Sequence, residues 1–371
     1  MLLHAMNRRS FLAGLAAGFA TLTGLVSTRL QNTACAREMP EKSRIVSAFH
    51  PGASAAGKGL DNTDLDENAV RQMVNAGVLA FTGENDLKRA WRTIIPDPGK
   101  KVAIKINCQI QGVYTKAKVV QPLVEGLIAS GVAAENIIIY DMTDTAFDLA
   151  GFKRHTGAGV QVGKASDFGG YSRFLFHRLA NLLTGGYESS AWNLLAKVGR
   201  ESRFGSVRMV AAMLLQGRKP SWDCAYLINV PVLKALDGYS GVTLSMKNHY
   251  GSFGNPSEHH DDIMDHIPLI NSLPEIRTKT RLIVLDAIFG EYKWINGRDQ
   301  KHVDRVNKVL VSDDPVAVDT LGWQMIEGLR KAHGLAPVAP SPVFIAKAAR
   351  MGLGHNDSAH MELIELQLPA T

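Results

Sequence analysis

Apolar residues in this chain come in short unbroken runs: RIVSAF (Arg44–Phe49), VAIKI (Val102–Ile106), IIIYD (Ile137–Asp141), AYLINV (Ala225–Val230), RLIVLD (Arg281–Asp286) and KVLVS (Lys308–Ser312). A strand with one wet face alternates polar and apolar positions, whereas runs like these read as strands covered on both faces. Between the second and third runs lies KAKVVQPLVEGLIASG, which is apolar at helical spacing and closes at Gly131. A strand, a helix and a strand in that order make a parallel crossover unit. Near the end, Asp314 and Pro315 supply an N-cap and a first-turn proline for a further helix. The expected fold is α/β, a mostly parallel sheet with helices on both faces.

From Gly151 to Trp222 the alternation stops. Helical amphipathic stretches such as YSRFLFHRLANLL replace it, and the segment carries 11 Lys+Arg against 3 acids. We read 151–222 as a basic helical insertion. It is either a solvated basic face on ordinary helices or a docking surface for an acidic partner or an anionic membrane. The chain shows no internal repeat, heptad pattern or low-complexity tract, and its 371 residues, 46% hydrophobic, suffice for one large core or two small ones.

The N-terminus changes the compartment. Asn7-Arg8-Arg9-Ser10-Phe11-Leu12 precedes an uncharged run from Phe11 to Thr28, and Ala34-Cys35-Ala36 offers a small-x-small cleavage site. This resembles a twin-arginine export signal, so residues 1–36 are expected to be a signal peptide and 37–371 a periplasmic α/β domain. An uncleaved anchor is the alternative, disfavoured by the glycines and threonines of the run. Loss of residues 1–36 leaves 38 Lys+Arg against 35 Asp+Glu and two cysteines, Cys108 and Cys224, which could form one disulfide.

Several strand runs end in polar groups: Lys105 and Asn107, Asp141, Asn229 followed by Lys234, and Asp286. In an open parallel sheet the ligand crevice lies beyond the carboxyl ends of the strands, where such residues would converge. A satisfied ion pair with helix caps is the structural alternative.

The segments VAIKINC (Val102–Cys108), VVQPLVEGLIASGVAAENIIIYDMT (Val119–Thr143), LINVPVLK (Leu227–Lys234), GVTLSMKNHYG (Gly241–Gly251), DPVAVD (Asp314–Asp319) and MGLG (Met351–Gly354) give the chain a resemblance to the bacterial and archaeal family called domain of unknown function 362. The resemblance covers nearly all of 37–371 except the basic segment. It implies an architecture and site positions but no particular reaction. The positions are lysines at Lys105, Lys234 and Lys247, asparagines at Asn107, Asn229 and Asn248, and a histidine slot filled by His259 or His260. Three lysines and three amides suit an anionic ligand such as phosphate or carboxylate. Some members carry a ferredoxin-like iron–sulfur segment. Two remaining cysteines and no CxxC argue against a cysteine-ligated cluster within this chain.

The stretch Glu258–His266, EHHDDIMDH, is the other candidate. A helix reaching back to His259 would put His259, Asp262 and His266 on one face about 60° wide, a ligand set for iron or zinc. Pro268 threatens that helix. A single functional histidine without metal, or a solvated helix start, are the alternatives. GASAAGKG (Gly52–Gly59) lacks the Ser or Thr that a phosphate loop needs after its lysine. Neither GxGxxG nor GxSxG occurs, and no nucleic-acid module is visible.

Three function classes follow. The first is an exported enzyme for a small anionic substrate, with or without a divalent metal. Lys105, Lys234 and Lys247 would hold the anion, His259 or His260 would serve as acid–base or ligand, and Asp141 or Asp286 would orient a lysine or a cation. The second is a non-catalytic metal- or cofactor-binding or maturation protein that docks through the basic lobe. The third is a redox protein working with an iron–sulfur partner.

Overall fold

The computed structural model describes residues 40–55, 59–109, 112–168, 224–252, 256, 260–272, 274–294 and 300–369. The export-signal reading at residues 1–36 and most of the basic segment, 169–222, lie outside them.

All six expected strands are present: β1 (Ser43–Phe49), β2 (Val102–Lys105), β3 (Ile137–Asp141), β5 (Tyr226–Asn229), β8 (Thr280–Glu291) and β9 (Val303–Ser312). Four more join them: β4 (Gln161–Lys164), β6 (Val232–Leu236), β7 (Gly241–Thr243) and β10 (Met361–Gln367). The main sheet runs β10-β1-β9-β8-β5-β2-β3-β4, and β6 and β7 extend from the far half of β8. The sheet is mixed with a mostly parallel centre: β9 runs antiparallel to both β1 and β8, and β7 antiparallel to β6. Unbroken apolar runs encode burial on both faces rather than direction, and Val309–Ser312 are buried like the parallel strands.

The segment read as an all-helical insertion begins differently from that reading. Residues 151–168 include β4, which adds to the sheet parallel to β3. Its sequence QVGK is short and polar, as befits an edge strand, and gives no apolar run to notice. The same reason hid β10, whose MELIELQ alternates and stays half exposed at the opposite edge.

Side chains leave each strand alternately to two covered faces. Val46, Val284, Val309 and Val311 enter a core with the helices Glu67–Thr82, Leu87–Ile94 and Ala117–Ser130. Ile45, Ile283, Leu285 and Leu310 enter a second core with the helices Ile263–Ser272, Pro315–Ala332 and Phe344–Arg350. The expected α/β architecture with helices on both faces therefore holds. Asp66, Asp86 and Asp314 cap their helices by accepting backbone N–H bonds, Asp314 from both Val316 and Ala317. Gly131 closes the crossover helix with φ 108°.

Cys108 and Cys224 are both buried and not joined to each other, Cys108 in the first core and Cys224 in a small cluster with Ala103, Ile138, Tyr140, Phe168 and Leu227. Among the described residues no helix is long and apolar enough to cross a membrane.

The sheet order sets the crevice. The chain leaves β2 toward β3 on one side, and leaves β5 toward β8 on the other, although β2 and β5 are neighbours. The carboxyl ends of β2 and β5 thus flank a topological switch point, where open α/β sheets bind ligands.

Gly126 faces the indole of Trp91 so closely that a Cβ there would collide with the ring. Helix propensity alone says that Gly126→Ala should stabilise the helix by about 1 kcal/mol. Overpacking against a buried Trp91 costs roughly 1–3 kcal/mol. Urea unfolding of Gly126→Ala is therefore expected to show net destabilisation, and a rise in the midpoint would contradict this packing.

Candidate functional site

At the switch point lies a closed polar network. Lys105, the last residue of β2, donates from Nζ to Asp141 Oδ1 at 2.6 Å, to the Ile106 carbonyl at 2.6 Å and to Asn248 Oδ1 at 3.2 Å. Asn248 Oδ1 also accepts from Asn107 Nδ2 at 3.1 Å, and Asn248 Nδ2 donates to Asn229 Oδ1 at 2.7 Å. Asn229 Nδ2 then donates to the Ser245 carbonyl at 2.9 Å. Asp141 accepts further bonds from the backbone N–H groups of Cys108 and Met142. The sequence predicts each of these residues, and the register brings them together, since Lys105 pairs with Asn229 on β5 and with Tyr140 on β3.

Burial defines what this network can do. Lys105, Asp141 and Asn229 are each 1% exposed and Asn248 3%. Gly251 covers the pair, and a Cβ there would sit 2.8 Å from both Lys105 Nζ and Asp141 Oδ1. Next to it, His249 Nδ1 lies 3.2 Å from Ser252 Oγ, which lies 3.0 Å from the Tyr140 hydroxyl. Burial and the nearby Lys105 charge push the His249 imidazole down to about 3, so it is neutral near pH 7.

The short helix Ser245–Asn248 presents both Asn248 and Lys247. It is held by Asp319, which accepts from the Ser245 backbone N–H at 2.7 Å, the Ser245 hydroxyl and the Met246 N–H at 3.2 Å. Burial raises Asp319 to about 7. Asp319 lies in the DPVAVD stretch, and nothing in sequence spacing links it to Ser245, 74 positions earlier.

The other lysines differ in their partners. Lys234 is buried and forms a pair with Glu291 at 3.4 Å, the residue opposite it in the β6–β8 register. Lys247 has no carboxylate within ion-pair distance among the described residues. Its ammonium lies 4.9 Å from the centre of the Tyr250 ring, and burial together with the Lys234 charge lowers it to about 8. Its side chain keeps partial solvent contact. His260 meets the same Tyr250 ring edge-on at 5.4 Å and bonds the Pro256 carbonyl through Nδ1 at 2.9 Å. His260 and Tyr239 also line an open depression of about 540 Å³ with Ile263, Met264, Pro340 and Val343.

Asp286 stands with a lysine that the sequence reading overlooked. Its Oδ2 accepts from the Lys116 backbone N–H at 3.0 Å. The Lys116 ammonium is buried on the Tyr114 ring at 3.7 Å and near Phe289 at 5.2 Å. Burial lowers it to about 8 against the opposing pull of Asp286. Burial likewise raises Asp286, and it raises the thiol of Cys108, which feels charge from Lys105 and Asp141 as well as from Lys116 and Asp286. Lys116 opens the crossover helix, and in sequence it looks like an ordinary solvated helix-start lysine.

The stretch EHHDDIMDH has a different local structure from the one its spacing suggests. The helix begins at Ile263, with Asp261 and Asp262 in a turn, and continues through Pro268 to Ser272. Residues 260–262 precede the helix, so Asp262 and His266 do not share one helical face, and His259 lies outside the described residues. Pro268 is buried inside the helix rather than ending it. His266 Nδ1 meets the Asp262 backbone carbonyl at 3.2 Å, and burial lowers its pKa against the opposing charge of Asp262.

The model of the family described as domain of unknown function (DUF362) matches residues 212–324. That span holds Asn229, Lys234, Lys247, Asn248, His260, Asp286 and Asp319 and leaves out Lys105, Asn107 and Asp141. No curated protein and no solved structure matches the chain.

Removing one partner of a buried ion pair strands the other, which costs about 3–5 kcal/mol. Lys105→Met is expected to lose that much in urea unfolding. Lys105→Met with Asp141→Leu should recover part of the loss, but not all, because Asp141 also binds the Cys108 and Met142 N–H groups. A double variant as unstable as the sum of both singles would show that the pair is not coupled.

Proposed function

We propose that the chain binds a small anion at the carboxyl-end crevice and acts there as an enzyme, with Lys247 as the anion's principal contact. The observation that carries this is the contrast between Lys247 and its neighbours. Lys105 and Lys234 each face a buried carboxylate. Lys247 has none among the described residues, is half-buried, and is pushed toward neutrality by burial and then by the Lys234 charge. An ammonium in that position gains more from an incoming phosphate, sulfate or carboxylate than a solvated surface lysine would.

In this reading Lys105, Asp141, Asn107, Asn229 and Asn248 are positioning residues. They fix the short helix that aims Lys247, and their own polar atoms are spent on one another. An amine that titrates near 8 exchanges protons close to neutral pH, so Lys247 is also the acid–base candidate, with His260 beside the shared Tyr250 ring. The donor facing the anion is the Lys247 amine, which attracts anions and repels a bare cation. The reading therefore uses no metal at Lys247. It keeps export by the twin-arginine route and assigns the basic segment to docking on an acidic partner or an anionic membrane.

Sulfate keeps a constant charge across the neutral range and serves as the probe. Lys247 is charged below about pH 8 and loses its proton above it. Calorimetric titration is expected to show sulfate binding that is strongest below pH 8, weakens as pH rises through that value, and falls roughly tenfold or more in Lys247→Met. Flat pH dependence with unchanged affinity in the variant would remove Lys247 from the site. Turnover of phosphate- or carboxylate-bearing compounds that is lost in Lys247→Met separates an enzyme from a binding protein.

For export, replacing both Arg8 and Arg9 with Lys should leave the uncleaved precursor in the cytoplasm, while the wild type yields a periplasmic chain beginning at Arg37. Pulse–chase fractionation reads this directly, and normal processing of the variant would refute the twin-arginine route.

A further inference from the structure

We propose that His355, Asp357 and His360, far from the crevice in sequence and not required by its chemistry, form a binding site for a divalent transition metal. One ligand-capable atom from each of the three lies within 4.8 Å of the other two. Two imidazoles and one carboxylate suit zinc and its first-row neighbours.

The local geometry prepares the site. The His355 and His360 rings stack at 5.2 Å with 18° between their planes. His360 Nδ1 is 2.7 Å from Asp357 Oδ1, and His355 Nε2 is 2.9 Å from the Pro40 carbonyl. A carbonyl only accepts, so Nε2 donates there, and in the neutral ring Nδ1 is the nitrogen with a lone pair for a metal. A hydrogen-bonded outer nitrogen of this kind is what orients a metal-binding histidine.

The backbone is pinned on both sides. The His355 N–H donates to Asp314 Oδ2 at 2.8 Å, the same carboxylate that caps the helix Pro315–Ala332. Asp357 Oδ1 accepts from the Ala359 and His360 N–H groups at 3.1 Å each, and the next residue, Met361, enters β10 opposite Ser43. The ligand residues therefore stand on a fixed turn while their side chains can adjust. Adjustment is needed, since ligands on a tetrahedral zinc stand roughly 3.3 Å apart by the usual bond lengths. The Asp357 and His360 side chains are 53% and 51% exposed, which gives them room to close and leaves outer positions for water or an external ligand.

The test uses the untagged chain from residue 37, stripped with a chelator and titrated with zinc and with nickel by calorimetry. The expected result is one equivalent bound with micromolar affinity, weakened roughly tenfold or more in His355→Ala and in His360→Ala and less in Asp357→Asn. Zinc should raise the melting temperature of the wild type but not of the double variant His355→Ala/His360→Ala. Metal-free melting curves check that the variants still fold. His266→Ala should bind like the wild type. Loss of binding in His266→Ala alone would move the metal to the Asp262–His266 segment and overturn this site. So would a wild type that takes up no metal at millimolar zinc, or a double variant that binds as well as the wild type.

Discussion

The ion pair between Lys105 and Asp141 is the constraint around which the crevice is arranged. It joins the ends of two parallel strands at 2.6 Å in a space that excludes water. A lysine so placed cannot stay charged without a partner, and a carboxylate so placed cannot either. Their pairing leaves Lys105 two further donor directions, filled by the Ile106 carbonyl and by Asn248. Asn248 in turn orders Asn107 and Asn229, so a requirement of electrostatics on β2 is passed through amides to β5 and to the short helix beyond β7. Glycine at position 251 is the steric counterpart, since any side chain there would push into the pair.

Lys105, Lys234 and Lys247 answer the same physical problem in different ways. Lys105 has a carboxylate on the adjacent strand and three acceptors. Lys234 has a carboxylate opposite it across β6 and β8, at a longer 3.4 Å. Lys247 has an aromatic face and a like charge. A ring face stabilises a cation by only about 0.5–2 kcal/mol, less than a buried carboxylate does. Lys247 is thus the member of the set that has no carboxylate partner among the described residues.

The sequence made the central strands legible because burial on both faces leaves an unbroken apolar run, as in IIIYD and RLIVLD. It also showed the polar strand ends, and Lys105, Asn107, Asp141, Asn229 and Asn248 do meet. It could not show strand direction, so β9 reads like its parallel neighbours. Edge strands such as QVGK and MELIELQ carry no such run, since one side of each meets water. Lys116 resembled a solvated helix start because its burial comes from Tyr114, Phe289 and Asp286, the last two more than 150 residues away in sequence. The helix in EHHDDIMDH was drawn too early, because consecutive polar residues fit a turn as well as a helix face. HNDSAH gives no periodic signal, because its histidines sit five apart, off any helical face, and only a turn brings them together.

Asp319 shows how far the crevice depends on residues that never enter it. It lies in the helix Pro315–Ala332, on the core side, and fixes Ser245 and Met246 from below. Asp314, one turn earlier, caps that helix, binds Ser43 at the start of β1 and anchors His355. One helix N-terminus therefore sets the position of the short helix carrying Lys247 on one side and of the His355–His360 turn on the other. Burial raises both carboxylates, Asp319 to about 7, while the N–H groups they accept from favour the charged form. The backbone bonds to Asp319 favour its charged form while burial favours the neutral one, so the hold on the Lys247 helix depends on a carboxylate set between these two pulls.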